Sequence, residues 1–180
     1  MPQGRPAMRV LMVLALSAVS VCGEGVATRA TAGDAKDFEL QGDKLGESYA
    51  IFISRHPKAV CEKSTETRAN CYQWVDVSIF GLQAHPGPGC SLKTYSAEEC
   101  VQGLSAQFKD GQLISLSYAV AGTDKKAPTA ELKQLFGTPE IDTSEATIWQ
   151  RGRAFASVVV GRAAESNGGP ILITFSISNA

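Results

Sequence analysis

Two tight-turn signals, each between segments of alternating apolar and polar residues, constrain the fold of this chain most. One is Asp110-Gly111 and the other is Arg151-Gly152-Arg153. Such turns are typical of β-hairpins, because their residues adopt the backbone twist that joins two antiparallel strands. The flanking segments are residues 104–108, 112–120, 147–150 and 154–160. Consecutive strands joined by hairpins run antiparallel, so the pattern predicts an antiparallel sheet.

Two short amphipathic helices are predicted, one before each group of strands. The first covers residues 48–56, where apolar side chains recur at helical spacing between the N-cap residue Ser48 and Pro57. The second covers residues 130–136, and its apolar face consists of Leu132, Leu135 and Phe136. A single helical turn is predicted at residues 96–99.

The order of elements determines the predicted fold class. Additional strands are predicted at residues 37–40, 72–80 and 171–177. After the first short strand, the order is helix, three strands, helix, three strands, which indicates a degenerate tandem α-β-β-β repeat. We therefore predict an α+β fold with two layers, in which an antiparallel sheet of about six strands carries two short helices on one face.

The N-terminus has the pattern of an export signal. Arg5 and Arg9 precede an unbroken run of apolar and small residues at 10–21, which at 12 residues is shorter than the roughly 20 needed to span a bilayer. We predict a signal peptide at residues 1–27, a flexible leader at 28–36 and a single domain at 37–180. Cys22 follows the apolar run, so lipidation there is the alternative to cleavage after Ala27.

Four cysteines remain after the predicted signal peptide: Cys61, Cys71, Cys90 and Cys100. An even number of cysteines in an exported chain indicates disulfides, with three possible connectivities. Nine residues separate Cys61 from Cys71 and nine separate Cys90 from Cys100, which favours these two local pairs. A zinc site is the alternative, but the chain has no C-x-x-C pair.

Charge and missing motifs exclude several functions. The chain has 17 Lys and Arg against 18 Asp and Glu, so it lacks the basic excess of a nucleic-acid-binding protein. No second apolar run of membrane length follows the signal. The chain has no phosphate-binding loop, no H-E-x-x-H and no calcium-loop motif, and we therefore predict no metal and no cofactor.

Residues 46–62, GESYAIFISRHPKAVCE, contain a Gly-x-Ser helix start, an amphipathic turn and a later cysteine. This pattern resembles the repeat of secreted β-lactamase-inhibitor proteins, and a similar Gly-x-Ser/Thr start occurs in small lipoproteins of the outer-membrane assembly machinery. The segment PTAELKQLFGTP looks like the same unit without its leading glycine. The resemblance implies a concave sheet that binds another protein and a Cys61–Cys71 loop before the first long strand.

Exposed aromatic residues are the candidate binding site. If the core-facing residues of segment 72–80 are Val75, Val77 and Ile79, then Tyr72, Trp74 and Phe80 face away from the core. Trp149 lies two residues from Arg151 in a second strand. We predict a binding site formed by Tyr72, Trp74, Trp149 and Arg151, because exposed Trp, Tyr and Arg are enriched at binding hot spots. In the alternative interpretation, a helix or loop covers these aromatic residues.

The sequence supports a non-enzymatic, exported module that binds another protein or serves as an accessory of the bacterial envelope, in the periplasm or outside the cell. One alternative is a small exported hydrolase that uses His56 or His85 as a general base, although a structural role for His56 and a solvated His85 are the ordinary interpretations. Another alternative is a structural envelope protein without a discrete ligand. The sequence does not identify the partner.

Overall fold

The computed structural model describes residues 38–65, 67–86, 90, 102–122, 124–162 and 171–179. The predicted signal peptide, the predicted leader, Cys22, Cys100 and the predicted turn at 96–99 lie outside these residues. In chain order, the helices and strands are β1 (Glu39–Leu40), β2 (Asp43–Lys44), α1 (Tyr49–Arg55), β3 (Val60–Thr65), β4 (Arg68–Gln73), β5 (Ser78–Ile79), β6 (Leu82–Gln83), β7 (Gly103–Lys109), β8 (Gln112–Ala121), α2 (Lys126–Phe136), β9 (Ile141–Asp142), β10 (Ala146–Arg151), β11 (Ala154–Arg162) and β12 (Ile171–Asn179).

Eight of these strands form one antiparallel sheet, in the order β3-β4-β7-β8-β12-β11-β10-β9. Four of them follow α1 and four follow α2, and the last strands of the two halves, β8 and β12, pair at the centre. Strands β1–β2 and β5–β6 form two separate two-stranded sheets. The predicted α+β class is confirmed.

The large sheet has eight strands where the sequence predicts about six. The two strands that the prediction omits, β3 and β9, are the outermost strands of the sheet. Strand β9 has two residues, which is too short for an alternating pattern, and β3 reads VCEKST, which is mostly polar because an edge strand has little to bury. Each helix is therefore followed by four strands of the sheet rather than three.

One face of the large sheet, the core face, carries the main hydrophobic core. Its buried side chains in the four central strands, β7, β8, β12 and β11, include Leu104, Ala106, Leu116, Tyr118, Val120, Ala156, Val158, Ile173, Phe175 and Ile177. The α1 residue Phe52 packs edge-on against Phe108, with ring centroids 5.2 Å apart. The α2 residue Phe136 packs against Trp149 in the same way at 5.6 Å. Burial of each such aromatic side chain stabilises the fold by roughly 1.5–3 kcal/mol.

Both helices form where the sequence predicts them. The Ser48 hydroxyl caps α1 by accepting a hydrogen bond from the Ile51 amide, and α1 ends before Pro57 as predicted. Helix α2 begins at Lys126, four residues earlier than predicted, because Pro128 is compatible with the first turn of a helix, where its missing N–H is not needed. Leu132 and Phe136 are buried, but Leu135 is 65% exposed, so its predicted place on the apolar face is wrong.

The predicted strand at residues 72–80 overlaps β4 at its first two residues, and its continuation beyond residue 73 is wrong. Strand β4 ends at Gln73, and the chain then leaves the large sheet. Asp76 has a positive φ of 54°, which breaks the extended backbone and with it the alternation of side chains. Val75 is consequently 56% exposed, whereas Val77 and Ile79 are buried, with Ile79 in the separate β5–β6 sheet.

A disulfide joins Cys61 of β3 to Cys71 of β4, which confirms the first predicted local pair. The two cysteines lie directly opposite each other in the strand pairing. Cys90 is also disulfide-bonded. Because Cys100 lies outside the described residues, the predicted Cys90–Cys100 pair stays a prediction.

Candidate functional site

The sheet face opposite the core face, the open face, carries a continuous row of residues in register across all eight strands. We call it the central row. Its members are paired from strand to strand, and none is fully buried. They are Val60, Tyr72, Ser105, Ser117, Ser176, Ser157, Ile148 and Ile141. Four serines therefore occupy the middle of the sheet, and apolar or aromatic residues lie on both sides of them.

The neighbouring rows of the open face continue this chemistry. Next to the central row on one side are Gln107, Ser115, Ser178 and Phe155, and on the other side are Gly103, Ala119, Thr174 and Val159. At the centre, the hydroxyls of Ser117 and Ser176 are hydrogen-bonded at 3.1 Å. None of these residues carries a charge. Burying neutral side chains costs less free energy than burying charged ones, so the middle of the open face is suited to contact with another surface.

Tyr72 and Trp74 lie on one side of this area and stack on each other, with ring centroids 5.8 Å apart and planes 4° apart. Trp74 packs on the backbone of Gly103, where an added Cβ would lie 3.2 Å from the Trp74 ring and 2.6 Å from the carbonyl oxygen of Gln73. Trp74 is only 8% exposed, so its predicted exposure is wrong, whereas Tyr72 is half-buried.

Trp149 and Arg151 lie on the core face, away from Tyr72 and Trp74. Trp149 pairs with Ala156, is 2% exposed, and donates a hydrogen bond from its indole nitrogen to the Gly137 carbonyl at 2.9 Å. Arg151 donates to the Phe136 carbonyl at 3.0 Å, and its guanidinium lies 4.9 Å from the centre of the Phe38 ring. The predicted exposure of Trp149 is wrong, because Ile148 is the residue of this strand that faces outward. The alternative, that a helix covers this tryptophan, is confirmed.

Phe155, a half-buried aromatic residue of the open face, is not among the predicted binding residues. It lies in β11 between Ala154 and Ala156, both of which are buried. The usual pattern places the larger apolar residue in the core, whereas here two alanines face the core and the phenylalanine faces outward. Periodicity alone could therefore not show which face of β11 is buried. The repeated Ser115-x-Ser117 and Ser176-x-Ser178 spacing is the sequence feature that could have indicated the open face as a binding site. Serine alternating with apolar residues is, however, also typical of an ordinary solvated face.

His56 belongs to a buried polar cluster on the core side of the sheet. Asp43 is fully buried and accepts hydrogen bonds from three side chains. These come from His56 Nε2 at 2.8 Å, Arg55 Nε at 2.9 Å and the Tyr118 hydroxyl at 3.1 Å. Burial, the negative charge of Asp43 and the hydrogen bond to it raise the pKa of Tyr118 well above its ordinary value. This cluster ties the β1–β2 hairpin, α1 and the central strand β8 together.

The two histidines do not come together in one site with a nucleophile. In the described part of the chain, neither His56 nor His85 is hydrogen-bonded to a serine or cysteine side chain. His85 is exposed, in agreement with its predicted solvation. The hydrolase alternative stays a prediction without a geometric arrangement to support it.

Comparison of the chain with protein-family models, curated proteins and solved structures yields no match. The resemblance to β-lactamase-inhibitor proteins and assembly lipoproteins therefore stays a prediction. In the described residues, no helix is long and apolar enough to cross a membrane, and no group of three or more His, Cys, Asp or Glu side chains is placed to hold a metal ion.

Proposed function

We propose that the protein is an exported, non-enzymatic module that binds another protein through the open face of its sheet. The observation that carries this proposal is the central row, in which four serines span the four middle strands, and the residues beside them in these strands are uncharged. A face of this kind contacts a partner through shape, hydroxyl hydrogen bonds and the flanking apolar residues.

The aromatic residues on both sides of the serines support this proposal. Tyr72 stacks on Trp74, which holds its ring in one orientation, and Phe155 lies across the sheet from it. An ordered aromatic ring loses little conformational entropy on binding, which is one reason why tyrosine is frequent at protein interfaces. Among the four predicted binding residues, Tyr72 fits this role best, Trp74 acts by positioning it, and Trp149 and Arg151 are structural.

Export is part of the same proposal, with cleavage after Ala27 or, as the alternative, a lipid tether at Cys22. The Cys61–Cys71 disulfide supports export, since structural disulfides persist mainly in oxidising compartments. The proposal also includes the predicted two-layer arrangement. Both helices contact residues of the core face, which leaves the open face to a partner.

A charge placed in the centre of the open face tests the proposal. We expect Ser117→Lys to weaken the capture of the partner from envelope extract at least about tenfold, because a buried unpaired ammonium group is unfavourable at an interface. Ser54→Lys, on the exposed side of α1, is the matched control and should leave capture unchanged.

Capture is measured with the immobilised protein by quantitative mass spectrometry, and thermal unfolding verifies that both variants are folded. A partner whose capture depends on Ser117 and not on Ser54 supports the proposal. Equal capture by the two variants, or no specific capture at all, contradicts it.

A further inference from the structure

A cavity of about 520 Å³ lies beside the N-terminal half of α2, away from the open face. Its walls come from the start of α2 and from the segment that follows β9, and the side chains used below are Lys125, Lys126, Thr129, Lys133 and Asp142. Pockets of this volume are typical of small-molecule sites.

Lys125 is an unusual wall residue because its side chain is buried without a contacting carboxylate. It is 8% exposed, and its ammonium group donates to the Thr147 hydroxyl. Among the described residues, no Asp or Glu oxygen forms an ion pair with it. Burial has the largest effect on the pKa of Lys125 and lowers it, whereas the negative charge of Asp142 acts in the opposite direction. An ammonium group has three N–H donors, so Lys125 retains the capacity for further hydrogen bonds.

Thr129 supplies a second unsatisfied polar group in the same wall. It is 5% exposed, and its hydroxyl has no hydrogen-bond partner among the described residues. A buried hydroxyl without a partner is unfavourable, and such groups in a folded protein call for an explanation. A hydrogen-bonding ligand in the cavity would provide one after a rotation of the Thr129 side chain, because the hydroxyl oxygen itself has almost no accessible surface.

The carboxylates of the cavity are already engaged. Asp142 accepts hydrogen bonds from the Lys133 ammonium group and from the Thr147 hydroxyl. These two hydrogen bonds, first that from Lys133, hold the pKa of Asp142 below its ordinary range. Asp124 accepts from the Lys126 amide at 2.8 Å. Three lysines face two aspartates, so the cavity keeps a positive excess.

We propose that this cavity binds a phosphate-bearing small molecule, with the phosphoryl oxygens held by Lys125, Thr129 and Lys126. A phosphoryl group is an acceptor with several oxygens, which matches an unpaired ammonium, an unpartnered hydroxyl and a second lysine. A phosphate group alone is much smaller than the cavity, so the rest of the ligand occupies the remaining space. The site is independent of the proposed partner-binding face.

The test uses inorganic phosphate as the probe, at constant ionic strength adjusted with sodium chloride. We expect phosphate to raise the Tm of the full chain in a saturable way. Lys125→Met and Thr129→Val should each weaken the apparent affinity for phosphate at least about tenfold. Without phosphate, Thr129→Val should unfold at the same or a higher Tm, since it removes an unpartnered buried hydroxyl. If the role of Thr129 were purely structural, Thr129→Val would respond to phosphate like the wild type.

Lys109→Met, at the exposed end of β7 outside the cavity, is the charge-matched control and should respond to phosphate like the wild type. A Tm increase that is equal in wild type and both cavity variants, or equal to that in chloride alone, overturns the proposal. Co-sedimentation with phosphatidylcholine vesicles, with and without phosphatidic acid, separates the two sources of phosphate. Binding to phosphatidic acid that depends on Lys125 assigns the site to a lipid headgroup, whereas a response to free phosphate alone assigns it to a dissolved ligand.

Discussion

The Cys61–Cys71 disulfide should contribute most of its stabilisation by restricting the unfolded chain. The two cysteines are separated by 10 positions in sequence and lie opposite each other in the β3–β4 pair. For a loop of this length, the loop-entropy relation gives about 2.7 kcal/mol at 25 °C. Because folding stability is typically about 5–15 kcal/mol, loss of this bond should be readily measurable.

The perturbation is reduction of this single bond. A background with Ala at Cys22, Cys90 and Cys100 leaves the Cys61–Cys71 pair as the only cysteines. Urea unfolding, followed by circular dichroism, should give a free energy of unfolding about 2.7 kcal/mol lower with reductant than without it. Reduction of the bond retains all side-chain atoms, so the difference contains no contribution from a cavity at the fully buried Cys71.

The same background with Cys61→Ala and Cys71→Ala is the control, and its unfolding should not respond to reductant. A difference below about 1 kcal/mol between the oxidised and reduced forms would refute the reasoning, because it would mean that the reduced unfolded chain already holds the two strands together.

Three further outcomes follow from the packing. Gly103→Ala should lower the free energy of unfolding in urea by about 3 kcal/mol or more, because Gly103 has a φ of 144° and an added Cβ would lie 2.6 Å from the carbonyl oxygen of Gln73. Gly111→Ala is the control. Its Cβ would lie in open space, and the variant should lose only about 1–2 kcal/mol. Tyr118→Phe should make the free energy of unfolding fall less steeply above pH 10. In the wild type, the unfolded phenol ionises in this range while the folded phenol, with its raised pKa, stays protonated, so a rise in pH favours the unfolded state. Trp149→Ala should lower the free energy of unfolding by about 3–5 kcal/mol, a result that a surface tryptophan would not give.

The sequence predicts the local structure of this chain well where one face is strongly apolar. In β8, Leu116, Tyr118 and Val120 alternate with small polar residues, and the Asp-Gly turn before it is unambiguous, so the central hairpin is confirmed. The prediction fails where the backbone departs from regular geometry. Asp76, with its positive φ, redirects the chain after β4 in a way that no alternation pattern indicates.

The candidate binding site was harder to predict because it depends on which face each strand turns toward the helices. Trp149 and Ile148 are adjacent and both apolar, and only the pairing of Trp149 with Ala156 shows which of them is inside. The cavity beside α2 was not predicted either. Its decisive property, a lysine buried without a carboxylate, arises from the packing of α2 against β10 and has no counterpart in the spacing of the residues.

The two ends of the large sheet limit how another chain could dock. A free edge strand offers unpaired backbone groups, onto which a foreign strand can add. Here the edge at β9 has only two residues, and the edge strand β3 carries Glu62 and Lys63 and loses its regular register between Lys63 and Thr65. Neither edge is a good template for an added strand. The partner that we propose should therefore contact side chains on a face of the sheet, and its specificity should depend on surface shape rather than on backbone pairing.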